Sequence, residues 1–303
     1  MKQSIPIYDI SSISESGESD ILVSRFAEYA QAHHHLHYPH RHNFYHIVLF
    51  TKGRGTHAID FENFEVRPYQ IYFMIPGQVH SWDFQGVVDG YVINFSTSFF
   101  QSFLLRPDYL ENFVFFNGSL SQAVIDIPLS KQQHLGAVFE QILLEFNHQG
   151  RFGSDLLRTL LLQIFIGVSR TITEHDVPVA STYNQILLRN FRLLIDKHFN
   201  ELRLPKEYAD LLYITPNHLN ALCNDTLGFS AGELIRKRVM LESKRLLVNL
   251  NLSISEIADQ LNFSDNSYFS RFFKKYTGTS PEEFRKKIFK KEKNEQSRIQ
   301  SSI

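Results

Sequence analysis

The feature that most constrains this chain is a pattern of apolar and cap-forming residues that occurs twice in its C-terminal half, at an offset of 49 to 50 residues. The first copy reads Ala209, Leu212, Ile214, Thr215, Leu219, Leu222, Cys223, Gly228 and Ser230. The second reads Ala258, Leu261, Phe263, Ser264, Phe269, Phe272, Phe273, Gly278 and Ser280. The one-residue slip falls between Ser264 and Phe269, where a helix should start. A short apolar-faced helix, a tight turn and a second amphipathic helix outline a helix-turn-helix unit. Two such units are predicted, at about 205–226 and 253–277.

Helix starts are marked chemically. Ser230, Ser253 and Ser280 are followed three residues later by Glu233, Glu256 and Glu283, the spacing at which a Ser and a Glu can satisfy each other's backbone donors. Thr215-Pro216 and Ser280-Pro281 add a cap followed by the residue best suited to a first helical turn. Asn262 stands in the second unit's turn, and Asn is one of the few non-glycine residues that tolerate left-handed geometry. A helix over about 231–249 should join the units. At 1.5 Å per residue it spans roughly 28 Å, comparable with the roughly 34 Å between successive major grooves on one face of DNA.

In the second unit Phe269, Phe272, Phe273 and Tyr276 form an apolar stripe, leaving Asn266, Ser267, Ser270, Arg271, Lys274 and Lys275 on other faces. An Arg early on such a helix can bond guanine bidentately, and lysines suit phosphates. The first unit has Ala221, Asn224 and Asp225 where the second has Arg271, Lys274 and Lys275. Base reading there is therefore expected from Asn217, His218 and Asn220. Charge follows the same division: residues 1–183 hold 11 Lys and Arg against 18 Asp and Glu, and residues 184–303 hold 20 against 14. The net −1 of the chain thus hides a basic half suited to a polyanion.

The N-terminal half has a different period. From about Phe26 to Phe95, short β-branched and aromatic runs such as HIVLF and QIYFMI alternate with turn signals at Lys52-Gly53-Arg54-Gly55, Arg67-Pro68 and Pro76-Gly77. This is the pattern of a small antiparallel barrel or sandwich. Segments 131–148 and 154–174 read as helices that close the barrel or form a dimer interface. The stretch His175–Tyr183 has weak periodicity and is the expected linker. The start MKQSIPIYDISS lacks the apolar run of a secretory signal, and no stretch reaches the roughly 18 to 20 apolar residues that span a bilayer. The single cysteine, Cys223, has no thiol partner and lies in an apolar helical register. A cytoplasmic protein without disulfides is expected.

The segment SISEIADQLNFSDNSYFSRFFKKYTGTSPEEFRK resembles the signature of the AraC/XylS family of bacterial transcription regulators, and the likeness extends over about residues 190–288. It implies two helix-turn-helix subdomains on a long helix, bound to adjacent major grooves. Ser267, Arg271 and Lys274 match positions on the second DNA-reading helix, and Asn217, His218, Asn220 and Ala221 match the first. In the N-terminal half, seven histidines fall within 14 residues: His33, His34, His35, His37, His40, His42 and His46. His40-x-His42, His46 and Gly53, followed by Pro76-Gly77-Gln78-Val79-His80, resemble a two-motif cupin barrel whose matching positions face the cavity.

The resulting expectation is an α+β protein with an N-terminal cupin-like barrel and helices at 1–175, a linker at 176–188, an all-α DNA-binding domain at 189–289 and a basic, polar tail at 290–303. Its function is expected to be sequence-specific transcription regulation with no catalytic residues. Double-stranded DNA, a small effector near His40, His42, His46, His80 and Trp82, and a second copy of the chain are the expected partners, with RNA polymerase a further candidate. Imidazoles at these spacings can ligate Zn, Ni, Cu or Fe, but barrels of the family resembled more often hold an organic effector or none, so no cofactor is expected. The competing reading is a metal-dependent cupin enzyme with a helical appendage, which leaves the capped repeat unexplained.

Overall fold

The run HIVLF does not alternate apolar with polar, and it folds into a strand buried on both faces. The computed structural model describes residues 5–14, 20–101, 103, 109–117, 120–148, 150–176, 182–249 and 251–288. Its contacts divide the chain into two units, Pro6–Val177 and Pro178–Ile303 with Met1–Ile5.

In the first unit the strands are β1 (Ile7–Tyr8), β2 (Ile21–Arg25), β3 (His40–His42), β4 (Tyr45–Lys52), β5 (Gly55–Ile59), β6 (Glu62–Val66), β7 (Gln70–Met74), β8 (Val79–Phe84), β9 (Asp89–Phe95) and β10 (Val124–Asp126). The helices are α1 (Ile10–Ile13), α2 (Phe26–Ala32), α3 (Ser98–Gln101), α4 (Leu120–Ala123), α5 (Leu129–His148) and α6 (Gly153–Asp176). Two five-stranded sheets form, in the orders β1-β3-β8-β5-β6 and β10-β7-β4-β9-β2. The strands therefore do not close into the single continuous barrel expected from the sequence. They make two sheets joined by side chains.

The second sheet sets the layering. On one face Ile47, Leu49, Ile71, Phe73, Tyr91, Ile93 and Phe95 pack with Leu135, Val138, Phe139 and Ile142 of α5 and Leu161, Ile164 and Phe165 of α6. On the other, Val48, Phe50, Tyr72, Met74 and Val92 meet Ile59, Val66 and Trp82 of the first sheet. A strand covered on both faces needs no polar alternation. Gly90 is required where β9 crosses β4, because a Cβ there would lie 1.9 Å from the Leu49 carbonyl oxygen.

In the second unit the described helices are α7 (Thr182–His198), α8 (Pro205–Leu211), α9 (Pro216–Leu227), α10 (Ala231–Leu247), α11 (Ile254–Gln260) and α12 (Asn266–Thr277), and residues 281–288 are also helical. α7 corrects the expected linker: Leu187, Leu188, Phe191 and Ile195 recur at helical spacing and are buried, so 182–188 belong to the helical unit. Residues 177–181 and the expected tail at 290–303 lie outside the described residues. α10 ends at Leu247, two residues before the end expected from the sequence.

The repeat is visible as repeated hydrogen bonds. In the first helix-turn-helix the N–H of Leu212 bonds Tyr208 O, that of Tyr213 bonds Asp210 O and that of Ile214 bonds Ala209 O. In the second, Leu261 bonds Ile257 O, Asn262 bonds Asp259 O and Phe263 bonds Ala258 O. The slip is one extra turn residue, since Thr215 caps α9 through the His218 N–H whereas Asp265, not Ser264, caps α12 through the Tyr268 N–H. The boxes of Ser253 with Glu256 and Ser280 with Glu283 are reciprocal. At Ser230 the box is one-sided, because the Glu233 carboxylate turns to Lys237 instead. α8 starts without a Ser or Thr: Glu207 reaches back to the N–H groups of Arg203 and Leu204.

Asn262 takes a left-handed φ of 54°, as its residue type suggested, and Tyr213 takes the matching place in the first turn with φ 55° while 96% exposed. Left-handed geometry costs an ordinary L-residue roughly 1–2 kcal/mol, and glycine's greater freedom in the unfolded chain costs roughly 0.5–1 kcal/mol. Tyr213→Gly is therefore expected to stabilise the helical unit by about 0.5–1 kcal/mol, and Tyr213→Ala to bring no such gain. Urea unfolding of the two variants checks this, and a lower midpoint for Tyr213→Gly overturns it.

Candidate functional site

Two sets of side chains stand out, one on each unit. On the helical unit, the stripe Phe269 and Phe273 is fully buried beside Ile257, Ala258, Leu261, Met240 and Leu247. That anchoring turns the opposite side of α12 outward: Asn266, Ser267, Arg271, Lys274 and Lys275 are exposed, and Ser270 is half-buried with its hydroxyl on Asn266 Oδ1. On α9, Leu219, Leu222 and Cys223 are buried, and Asn217, His218, Ala221, Asn224 and Asp225 are exposed. Burial pushes the Cys223 thiol up to about 11, which suits a packing role and not a nucleophile.

Asn220, expected among the base-reading residues, is half-buried. Its side-chain oxygen accepts the Ala231 N–H at 3.1 Å, in the first turn of α10. The residue thus ties α9 to the start of α10. Two arginines tie the rest together. Arg203 donates to the Leu261 carbonyl and lies over the Phe263 ring at 4.9 Å, linking the segment before α8 to the turn before α12. Arg285 donates to the carbonyls of Leu247 at 2.9 Å and Leu252 at 2.8 Å, closing the C-terminal end of α10.

In the β unit the structure brings together all five residues expected at the effector site. His40 and His80 are register partners on β3 and β8, and His57 faces Trp82 across β5 and β8. His46 comes from β4 of the opposite sheet, where it pairs with Asn94 of β9. His40, His42, His46, His57 and His80 are all between 0% and 2% exposed. The rings pack on one another, with His40 and His80 4.1 Å apart at their centroids, His42 and His80 4.9 Å, His46 and His80 5.2 Å, and Trp82 and His80 5.0 Å. His57, Asn94 and Tyr29 complete the cluster and were not singled out from sequence. The signal for His57 was available: it alternates with the inward Ile59 on β5. Of the run before the cluster, His33 packs on Tyr29 at 4.8 Å, and the side chains of His34 and His35 lie outside the described residues.

Hydrogen bonds fix most of the imidazole tautomers. His40 Nδ1–H donates to Tyr38 O at 2.8 Å and His42 Nδ1–H to Phe44 O at 3.0 Å. His46 Nδ1–H donates to Asn94 Oδ1 at 2.6 Å, whose amide nitrogen points to the Tyr29 hydroxyl. His80 bridges two others, with Nε2 3.1 Å from His42 Nε2 and Nδ1 3.0 Å from His57 Nε2. Buried His46 Nε2, His57 Nδ1 and Trp82 Nε1 have no hydrogen-bond partner among the described residues. Burial holds His42, His57 and His80 well below the ordinary imidazole range, and the other histidines push them further down. His46 is pushed down to about 3, again chiefly by burial, with the Asn94 bond opposing.

Two profiles of known domains match the chain: the AraC-like ligand binding domain over residues 22–165 and a helix-turn-helix domain over residues 208–287. Among curated proteins it is similar to the arabinose operon regulatory protein of Salmonella typhimurium, with 26% identity over 246 residues that cover 80% of this chain and 83% of that one. It is also similar to the transcriptional regulatory protein YesN of Bacillus subtilis, at 37% over 106 residues, 34% of this chain and 28% of that one. Among solved structures it is similar to the C-terminal domain of AraT, a response regulator from Geobacillus stearothermophilus, with 33% identity, a TM-score of 0.32, and coverage of 33% of this chain and 84% of that one.

Two outcomes follow. Asn220→Ala should lower the stability of the helical unit by about 1 kcal/mol, the usual cost of losing a helix cap, and leave base preference unchanged; selection of a different DNA sequence by this variant would restore the base-reading role. For the histidines, an unfolded imidazole titrates near 6.5 and the buried ones far lower, so between these values the unfolded chain binds more protons. Stability of metal-free protein in chelator should therefore be level above about pH 7 and fall as pH drops toward 5, by up to about 1.4 kcal/mol per pH unit for each buried histidine. Thermal unfolding across pH 5–8 checks the sign, and His57→Phe should flatten the slope.

Proposed function

Because the chain belongs to the AraC family of transcription regulators, with an AraC-like ligand-binding domain followed by a DNA-binding domain, we propose that it binds promoter DNA through α9 and α12 under the control of a small effector held among His40, His42, His46, His80 and Trp82. The observation that carries the DNA reading is the outward face of α12, where Asn266, Ser267, Arg271, Lys274 and Lys275 stand exposed above a buried aromatic stripe. Arg271 reads a base edge, Lys274 and Lys275 hold phosphates, and Asn217 and His218 read bases with little charge. The curated relatives it resembles include an operon regulatory protein and a transcriptional activator, which supports regulation as its role. Among the described residues no helix is long and apolar enough to cross a membrane, in keeping with action in the cytoplasm.

The working form is a homodimer. Leu144 on α5 and Leu156 on α6 are 62% and 45% exposed, with Phe152 between the helices 68% exposed, an apolar face of the kind that a second copy covers.

The test uses the full chain and a duplex selected from a random pool. Arg271→Ala should cost about 1–3 kcal/mol on the selected site and relax preference at one base pair, whereas Lys274→Ala should weaken all sequences alike and reduce the salt slope by about one. Titrations at two salt concentrations separate these effects. Failure of the random pool to yield any preferred sequence sinks the reading.

A further inference from the structure

Helix α12 carries two rows of aromatic residues, and its own core uses only one of them. Phe269 and Phe273, four residues apart, are fully buried among residues of α10 and α11. Tyr268, Phe272 and Tyr276 form a second row at the same spacing on the neighbouring face. It stays partly open, with Tyr268 52% and Tyr276 44% exposed. Phe263 of the preceding turn joins this row, its ring 5.7 Å from Tyr268 and 5.2 Å from Phe272, and Phe272 lies 5.1 Å from Tyr276.

Each end of the row meets an arginine from outside the second helix-turn-helix. At one end Arg203, which precedes α8, lies over Phe263 at 4.9 Å and donates to the Leu261 carbonyl. At the other end Arg236, in the first half of α10, lies over Tyr276 at 5.7 Å. Both distances fall within the roughly 6 Å at which a guanidinium and a ring attract each other. Arg236 is seated against the first helix-turn-helix as well, because it folds back over Gly232, where a Cβ would lie 3.1 Å from its Nη1 and 3.5 Å from Cγ of Pro205, the first residue of α8. Glycine is a poor helix former, and here it makes room for that guanidinium. Arg203 Nη1 and Arg236 Nε are buried with no hydrogen-bond partner among the described residues, so both groups have exchanged part of their hydration for ring contact. Phe199 also packs against both cores, but an apolar contact has no preferred direction and permits pivoting. Two arginines at the ends of a row do not: Tyr268 and Tyr276 stand about 12 Å apart along the helix.

We infer that Arg203 and Arg236 are positioning residues that lock α12 against the first helix-turn-helix, and that they thereby set the number of base pairs between the sequences met by α9 and α12. The inference rests on reading α9 and α12 as the DNA-contacting helices. One inserted base pair turns the far half of a site by roughly 35° and moves it by about 3.4 Å, so a locked pair of helices loses one half. A pair joined only through α10 and Phe199 can follow the displaced half by pivoting. The arginines read no base; they make spacing part of the specificity.

The experiment takes the full chain and a duplex selected from a random pool, its two halves located by single-base changes, with companion duplexes in which one base pair is inserted or removed between the halves. Wild-type protein should bind the companions about tenfold or more weakly, the cost of spoiling at least one base contact. Combined Arg203→Met and Arg236→Met, which keeps the unbranched stems and removes both guanidinium groups, should shrink that penalty to about threefold or less while binding the selected duplex within about threefold of wild type. Its salt slope should be unchanged. Tyr276→Phe, which keeps the ring, should retain the wild-type spacing profile. Tyr276→Leu should relax it as Arg236→Met does, and the two changes together should relax it no further. Lys275 approaches the same ring at 5.6 Å, so Arg236→Met is the decisive variant at that end. A spacing penalty in the double arginine variant equal to that of wild type overturns the inference. A salt slope reduced by about one for either arginine makes that residue a phosphate contact and overturns it equally. If the double variant does not fold, Arg236→Met alone decides, and an unrelaxed penalty there overturns the clasp. A chain that selects no duplex overturns the DNA reading itself, whereas a selected duplex with an unrelaxed penalty overturns the clasp alone.

Discussion

Helix α10 belongs to two hydrophobic cores at once, and the DNA-binding unit depends on that sharing. Its first half supplies Ala231 and Ile235 to the core around Phe191, Tyr208 and Leu219, and its second half supplies Met240 and Leu247 to the core around Ile257, Phe269 and Phe273. Neither helix-turn-helix could bury its apolar face alone, since each brings only two short helices. Burying a Phe such as Phe269 or Phe273 contributes roughly 1.5–3 kcal/mol, and the shared helix gives both rings a wall to pack on. Asn220 and Arg285 then close its two ends, one from α9 and one from the last described helix.

The β unit is governed by a related constraint, a sheet covered on both sides. With helices on one face and a second sheet on the other, every inward side chain of β4, β7 and β9 sits away from water. Polar atoms there must find partners. The histidines meet that demand in part, through backbone carbonyls, Asn94 and each other, and what they leave unmet is concentrated at His46 and His57. The unsatisfied atoms therefore cluster at one point between the sheets.

Much of this was legible in the sequence because it depends on local chemistry. The repeat, the Ser-x-x-Glu caps, the left-handed Asn262 and the outward face of α12 follow from spacing and residue type alone. The inward set His40, His42, His46 and His80 was reached by resemblance. What escaped mostly required partners distant in the chain: Asn220 could not be seen to bond Ala231, nor His57 to meet His80; Glu207 escaped because it caps α8 without a hydroxyl residue to mark the start. α7 was shortened to a linker because Thr182–Asn184 looks polar, while the apolar positions that make it a helix begin only at Leu187. The separation into two sheets was hidden for the same reason, since closure is a property of pairing between strands and not of any one of them.

The extra residue before α12 has a consequence for how the protein meets a promoter. A turn of four residues, 212–215, joins α8 to α9 and a turn of five, 261–265, joins α11 to α12, so the two helix-turn-helix units differ in turn length as well as in charge. One chain therefore has a head and a tail. If α9 and α12 meet DNA as proposed, the duplex is itself directional, since reversing it would present each helix with the sequence meant for the other. On that proposal, orientation along the duplex is set within a single chain.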